Sequence, residues 1–374
     1  MMNIKVLTAI ALYTASITLI HGASSKVTLP SLSGKFKVGT VKMHLIDNSR
    51  VDPYALDSRK RALMVQLFYP TKNTDRCPVS PYMPTVTGQF ESQLYGLPNN
   101  TLESIQTWAH LGAPIAHSNP PIVLFSPGLG VTRYLYTALL SDLASRGYLV
   151  AAIDHPYDAD IVEFPNGELV TGTIRGDMTP EEASNAVDVR AQDVSFILDQ
   201  LKSLEIKKQV PALSKKLDVR RVVMFGHSFG GAAAATSMLK DTRIVAGADL
   251  DGSLWGSVVD KGLDRPFLLM GPTQSNLSSD PSWAKIWPNL RSWRLLLKLA
   301  DSEHLTFSDL PVLVNILNLT NPALDPLIGS INGLKVLEIQ RTYISAFLDR
   351  IFRETDNPIL QRPDSRFPEI TLEN

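Results

Sequence analysis

Val222-Val223-Met224-Phe225-Gly226-His227-Ser228-Phe229-Gly230-Gly231, with Ala232 to Ala235 directly behind it, joins a bulky apolar run to a cluster of glycines and a stretch of small residues. The apolar run lacks polar alternation, as suits a strand buried on both faces. The alanines suit a helix that packs close to it. Between the two, Gly226 to Gly230 spell G-x-S-x-G, which between strand and helix makes a strained turn that lifts the serine hydroxyl clear of the sheet. Gly226 and Gly230 are required because side chains there would collide where helix and strand close on each other. The bare pentapeptide arises by chance, and an ordinary glycine-rich turn is the bland alternative. The strand before it and the small-residue helix after it make Ser228 a candidate nucleophile.

Outward from this segment, strand, turn and helix alternate. Short apolar runs read as strands at Ile122 to Phe125, Tyr148 to Ile153, Arg221 to Phe225, Ile244 to Leu250, Pro266 to Met270 and Trp293 to Leu299. A helix is expected from Thr132 to Arg146, stopped by Gly147, and another after the capping box Thr179-Pro180-Glu181-Glu182, with Val187, Val194, Ile197, Leu198 and Leu201 on one apolar face. A last amphipathic helix runs from about Leu334 to Phe352. Two strand-like runs, Lys35 to Leu45 and Ala62 to Tyr69, precede a Pro-rich, loop-like stretch from Cys77 to Pro121. The order implies an α/β fold of the α/β-hydrolase type: a mostly parallel sheet with helices on both faces, in one domain over residues 24–374.

In such a fold the nucleophile is followed by the acid and then by the base. Only His304, in Ala300-Asp301-Ser302-Glu303-His304 after the last strand, lies beyond Ser228, so it is the candidate base. The acid is more open. The loop after Pro266 to Met270 has no carboxylate before Asp280, whereas Ala248-Asp249-Leu250-Asp251-Gly252 ends the strand before with two. Alternation puts both on one face; Asp251 lies further out and is preferred, with Asp249 and Asp280 as alternatives. The expected oxyanion donors are the backbone N–H of Phe229 and that of Leu129, in Phe125-Ser126-Pro127-Gly128-Leu129-Gly130. Gly128-x-Gly130 also begins like a dinucleotide fingerprint, but Arg133 occupies the third glycine position.

Lys and Arg total 36 against 37 Asp and Glu in 374 residues, which leaves no electrostatic footprint for nucleic acid. Lys5, the uncharged run Val6 to Ile20 and the small residues to Ser25 read as a signal peptide over residues 1–23, and hence a secreted protein. A membrane anchor is the weaker reading, since a span needs about 20 apolar residues. Sequons at Asn99, Asn276 and Asn318 agree with secretion. The single cysteine, Cys77, excludes an intramolecular disulfide. There is no H-E-x-x-H and no cluster of Cys or His, so no metal or other cofactor is expected.

With these residues placed, the chain resembles the secreted platelet-activating-factor acetylhydrolase family over roughly Lys35 to Arg353. Four patches carry the likeness: Phe125 to Gly130 with Leu135-Tyr136 and Asp142 to Tyr148; Gly226 to Gly231; Leu250-Asp251; and His304 with Phe307-Ser308-Asp309. It departs at Pro127, where the family often has histidine, and in the aromatic setting after Asp251, with Trp255 placed later. The resemblance implies calcium-independent hydrolysis of short or oxidised acyl esters of phospholipids, with the acid one strand earlier than in many relatives. Leu310 to Leu319 is apolar and suits either transient contact with a lipid interface or the core. A generic lipase, cutinase-like polyesterase or carboxylesterase uses the same residues. A non-catalytic binding protein of this fold would be expected to lack one of them.

Overall fold

The structure, a computed structural model, describes residues 27–116, 119–203, 210 and 217–373. The expected signal peptide therefore lies outside the described residues. The apolar runs become strands β1 (Lys37–Val51), β2 (Lys60–Thr71), β3 (Val79–Pro81), β4 (Gln106–Leu111), β5 (Ile122–Ser126), β6 (Leu149–Asp154), β7 (Ile161–Glu163), β8 (Leu169–Thr171), β9 (Val222–His227), β10 (Ile244–Leu250), β11 (Phe267–Pro272), β12 (Arg294–Leu299) and β13 (Ile370–Glu373). All but the β7–β8 hairpin form an 11-stranded sheet in the order β13-β12-β11-β10-β9-β5-β6-β2-β1-β4-β3. From β12 through β6 every neighbouring pair is parallel; β2 runs antiparallel to both β6 and β1.

The central strands are apolar throughout because both faces are covered. Val123, Phe125, Val223 and Phe225 enter one core cluster, and Ile122, Leu124, Val222 and Met224 enter the cluster on the opposite face. Helix α1 (Pro180–Lys202) starts at the expected capping box and packs against α2 (Phe229–Lys240), which follows the serine turn. Ala232 to Ala235 are wholly buried. Glycine is required in the turn itself: a Cβ on Gly226 would lie 2.2 Å from the Gly230 carbonyl carbon, and one on Gly230 would lie 1.9 Å from the Ser126 carbonyl oxygen.

The stretch from Cys77 to Pro121 departs from the loop-like expectation. It holds β3, the helices Thr85–Leu94 and Thr101–Ser104, and β4, which extends the sheet by pairing in parallel with β1. The Thr85–Leu94 helix buries Thr87, Gly88, Glu91 and Ser92, so it lacks the apolar stripe by which a helix is recognised. The expected helix Thr132–Arg146 is split into a 3₁₀ turn, Arg133–Tyr136, and an α-helix, Thr137–Ser145. Leu310 to Leu313 are buried in the core, whereas Val314 to Leu317 are half-buried.

The register brings the chemistry to one edge. Ser126 of β5 pairs with Gly226 of β9, and Gly226 pairs with Asp249 of β10, so the loops after these strands leave the sheet side by side at its carboxyl end. Open parallel sheets bind their ligands there.

Candidate active site

Ser228 sits between β9 and α2 at φ 55° and ψ −125°, the strained turn read from its glycines. Its own N–H donates to the Leu250 carbonyl at 2.8 Å, which ties the turn to the end of β10. One residue on, Asp251 leaves the strand at φ 56°, held by its N–H to the Met270 carbonyl at 2.7 Å. His304 opens a 3₁₀ turn, His304–Phe307, after β12. The Thr306 hydroxyl anchors that turn to the Ile328 carbonyl at 2.7 Å.

These placements bring the three candidate residues together. His304 Nε2 lies 2.9 Å from Ser228 Oγ, and His304 Nδ1 lies 2.6 Å from Asp251 Oδ2. With Nδ1–H donating to the carboxylate, the free lone pair of Nε2 faces the serine hydroxyl. The Asp251 side chain is buried, at 8% exposure, while that of the candidate base His304 is 34% exposed and open to a substrate.

The other two aspartates are engaged elsewhere. Asp280 caps the helix Pro281–Ile286, accepting from the N–H groups of Ser282 at 2.7 Å and Trp283 at 3.1 Å. Asp249 lies wholly buried beneath α2, its Oδ2 accepting from the Trp283 indole at 3.3 Å. Burial, reinforced by the neighbouring Asp251 and Asp280, pushes its carboxyl well above the usual range and so favours the protonated form.

The oxyanion segment can be accounted for group by group. Gly128 N–H donates to the Tyr136 hydroxyl at 3.2 Å and Gly130 N–H to the Asp158 carbonyl at 2.9 Å. The N–H groups of Leu129 and Phe229 have no protein acceptor among the described residues. A Cβ on Gly128 would lie 3.5 Å from Ser228 Cβ, so the segment passes directly beside Ser228.

His227 was singled out by no sequence signal beyond its place next to Ser228, yet it joins the parts. Its Nε2–H donates to the His304 carbonyl at 2.9 Å, and its Nδ1 accepts from the Tyr136 hydroxyl at 2.8 Å. Burial and the nearby His304 ring hold it well below the ordinary histidine range, so it is neutral and keeps one donor and one acceptor for these two bonds. A single chain of hydrogen bonds thus runs from Gly128 through Tyr136 and His227 to the backbone of His304.

Asp309 fastens the histidine loop to the oxyanion side. Its N–H donates to the Leu135 carbonyl at 2.6 Å, and its Oδ2 accepts from Tyr82 Oη and Ala138 N–H, both at 3.0 Å. Burial pushes this carboxyl up to about 7 from 3.8. Between those values the unfolded chain sheds the proton first, so this group makes folding stability fall as pH rises from about 4 to 7. Asp309→Asn keeps an acceptor for both donors and removes the titration. Its stability relative to the parent should therefore rise between pH 5 and pH 8 in urea unfolding; an unchanged difference would refute this account.

Arg190 was also missed. It falls on the apolar stripe of α1, three residues after Val187 and four before Val194, and a charge at a core position was the available signal.

A family model described as platelet-activating factor acetylhydrolase, isoform II, matches residues 21–357. A probable 1-alkyl-2-acetylglycerophosphocholine esterase of Arthroderma benhamiae is 32% identical, with 93% of this chain and 94% of that protein covered. A platelet-activating factor acetylhydrolase of Cavia porcellus is 24% identical, with 75% of this chain and 69% of that protein covered. Among solved structures, a ferulic acid esterase from Streptomyces cinnamoneus superimposes with a TM-score of 0.82 at 34% identity, covering 94% of this chain and 100% of that one.

Proposed function

Because the chain belongs to the platelet-activating factor acetylhydrolase isoform II family, we propose that it cleaves short acyl esters of phospholipids, of the sn-2 acetyl type, through an acyl-enzyme on Ser228. It is a carboxylic ester hydrolase of the 1-alkyl-2-acetylglycerophosphocholine esterase type. The observation that carries the mechanism is the bonded series Ser228 Oγ, His304 and Asp251.

In this reading Ser228 Oγ attacks the ester carbonyl while His304 Nε2 takes its proton, and Asp251 holds the imidazole tautomer and stabilises the imidazolium. The carbonyl oxygen becomes an alkoxide beside the N–H groups of Leu129 and Phe229. As the tetrahedral intermediate collapses, His304 returns the proton to the departing glycerol oxygen, leaving Ser228 acylated. A water deprotonated by His304 repeats the sequence in reverse and releases the free acid. Each oxyanion donor is worth about 2.7–4 kcal/mol in the transition state.

The uncharged N-terminal run supports secretion, and the exposed Asn99 and Asn318 suit glycosylation of a secreted protein. Among the described residues no helix is long and apolar enough to cross a membrane. Transient contact with a lipid surface belongs to this reading, with the half-buried Val314, Ile316 and Leu317 beyond the histidine loop available for it. The likeness to a ferulic acid esterase favours a second reading, a carboxylesterase of broader range.

One experiment addresses both. Protein recovered from culture medium should begin near Ser24. On the same material, kcat/KM for an acetyl phospholipid should exceed that for its long-chain counterpart and for a feruloyl ester by about tenfold or more, the scale of pocket discrimination. A preference for the feruloyl ester would establish the second reading instead, and an intact N-terminus would remove the secreted one.

A further inference from the structure

Arg190 occupies an unusual position for a guanidinium: wholly inside the protein, directly behind the oxyanion segment. Its Nη1 donates to the Pro127 carbonyl at 2.6 Å and to Ser126 Oγ at 3.0 Å, and its Nη2 reaches the Gly128 carbonyl at 3.4 Å. Its Nε and Nη2 form a two-point ion pair with Asp158, with Nε 2.7 Å from Oδ2. The guanidinium also lies 4.9 Å from the centre of the Phe229 ring. One side chain therefore touches both segments that offer an unpaired N–H beside Ser228.

The geometry of a trans peptide gives these contacts a consequence. The carbonyl and N–H of one peptide unit point in opposite directions. Holding the Gly128 carbonyl toward Arg190 turns the N–H of Leu129 away from it, while Asp158 grips the next residue by accepting the Gly130 N–H. The clamp is itself braced. Ser126 Oγ donates to His155 Nε2 at 3.1 Å, and His155 Nδ1–H donates to Asp193 at 2.8 Å. Asp193 accepts in turn from Arg61 at 2.8 Å and Arg50 at 2.7 Å. Donors fixed before the reaction stabilise a developing charge without reorganising.

We propose that Arg190 is a positioning residue that aims the Leu129 N–H, and packs the Phe229 segment, toward the oxyanion formed on Ser228. The proposal rests on the reading of these two N–H groups as the oxyanion donors. It also says why a charge is kept in the core: a planar fork with fixed donors meets two carbonyls, a hydroxyl and a carboxylate at once, which an ammonium cannot.

The test compares Arg190→Lys, which keeps a cation beside Asp158, with the parent on p-nitrophenyl acetate, counting active sites by complete fluorophosphonate labelling. The expected result is a kcat per labelled site lowered about 10²-fold with KM within about threefold. Affinity for a trifluoromethyl ketone, which forms an oxyanion on serine, should fall in parallel, while that for an unreactive amide analogue stays constant. Should the lysine variant fail to fold, Arg190→Gln paired with Asp158→Asn leaves no unbalanced charge and is read the same way. A folded variant with parental kcat per site and parental ketone affinity overturns the proposal, whatever its thermal stability. A parent protein that neither takes the label nor turns over overturns the reading of the site itself, a distinct result.

Discussion

Ser228→Ala should lower kcat on a short-chain acyl ester by on the order of 10⁶-fold and abolish fluorophosphonate labelling. Among the described residues no other hydroxyl is hydrogen-bonded to His304 Nε2. Ser126, which pairs with Gly226 on the neighbouring strand, has its Oγ engaged, donating to His155 and accepting from Arg190. The substitution keeps Cβ, so the strained backbone at φ 55° is neither relieved nor worsened, and the turn retains its N–H bond to Leu250. Folding should therefore be nearly unaffected, and activity and stability separate cleanly. Any residual rate stems from the oxyanion donors and substrate binding, which survive the loss of the nucleophile. A folded alanine variant that still takes the label, or that works within about tenfold of the parent, would move the chemistry to another residue and revive the non-catalytic reading of this turn.

The serine turn was legible because its demands are local. A buried strand, two close-approach glycines and a small-residue helix are all written within a few positions of Ser228, and the close contacts at Gly226 and Gly230 are those the pattern implied. His304 was legible by order along the chain. Alternation did not separate Asp251 from Asp249, because their equal parity on β10 implies equal facing only while the strand continues; position at the strand end alone favoured Asp251. The strand ends at Leu250, and the positive φ at Asp251 redirects its side chain, a backbone event that alternation does not encode. The segment before β5 failed for a different reason: β4 is a strand by virtue of pairing with β1, a partner distant in sequence. The contacts that Arg190 and Tyr136 make were hidden in a third way, since they include backbone carbonyls and an N–H group that carry no residue identity.

The divergence of the two aspartates gives the second large effect. Asp251→Asn should lower kcat by about 10⁴-fold, while Asp249→Asn should stay within about threefold of the parent. The two side chains are chemically identical and two residues apart, so the contrast isolates environment. Asp251 meets His304 Nδ1 at 2.6 Å and, in the mechanism proposed above, works by its charge, offsetting the imidazolium as the serine proton moves. An amide of the same shape carries no charge, and with its NH₂ toward Nδ1 it forces the proton onto Nε2, where a lone pair is needed. Asp249 is wholly buried, and burial first, then the neighbouring Asp251 and Asp280, favour its protonated form. A protonated carboxyl and a carboxamide are near-isosteres, and the amide oxygen still accepts from the Trp283 indole. Neutral for neutral, the exchange costs little beneath α2. Measuring kcat for both variants, with unfolding midpoints to confirm that each is folded, decides the matter. A large loss from Asp249→Asn with Asp251→Asn nearly silent would mean that the buried carboxyl, and not the one bonded to His304, balances the charge of the base.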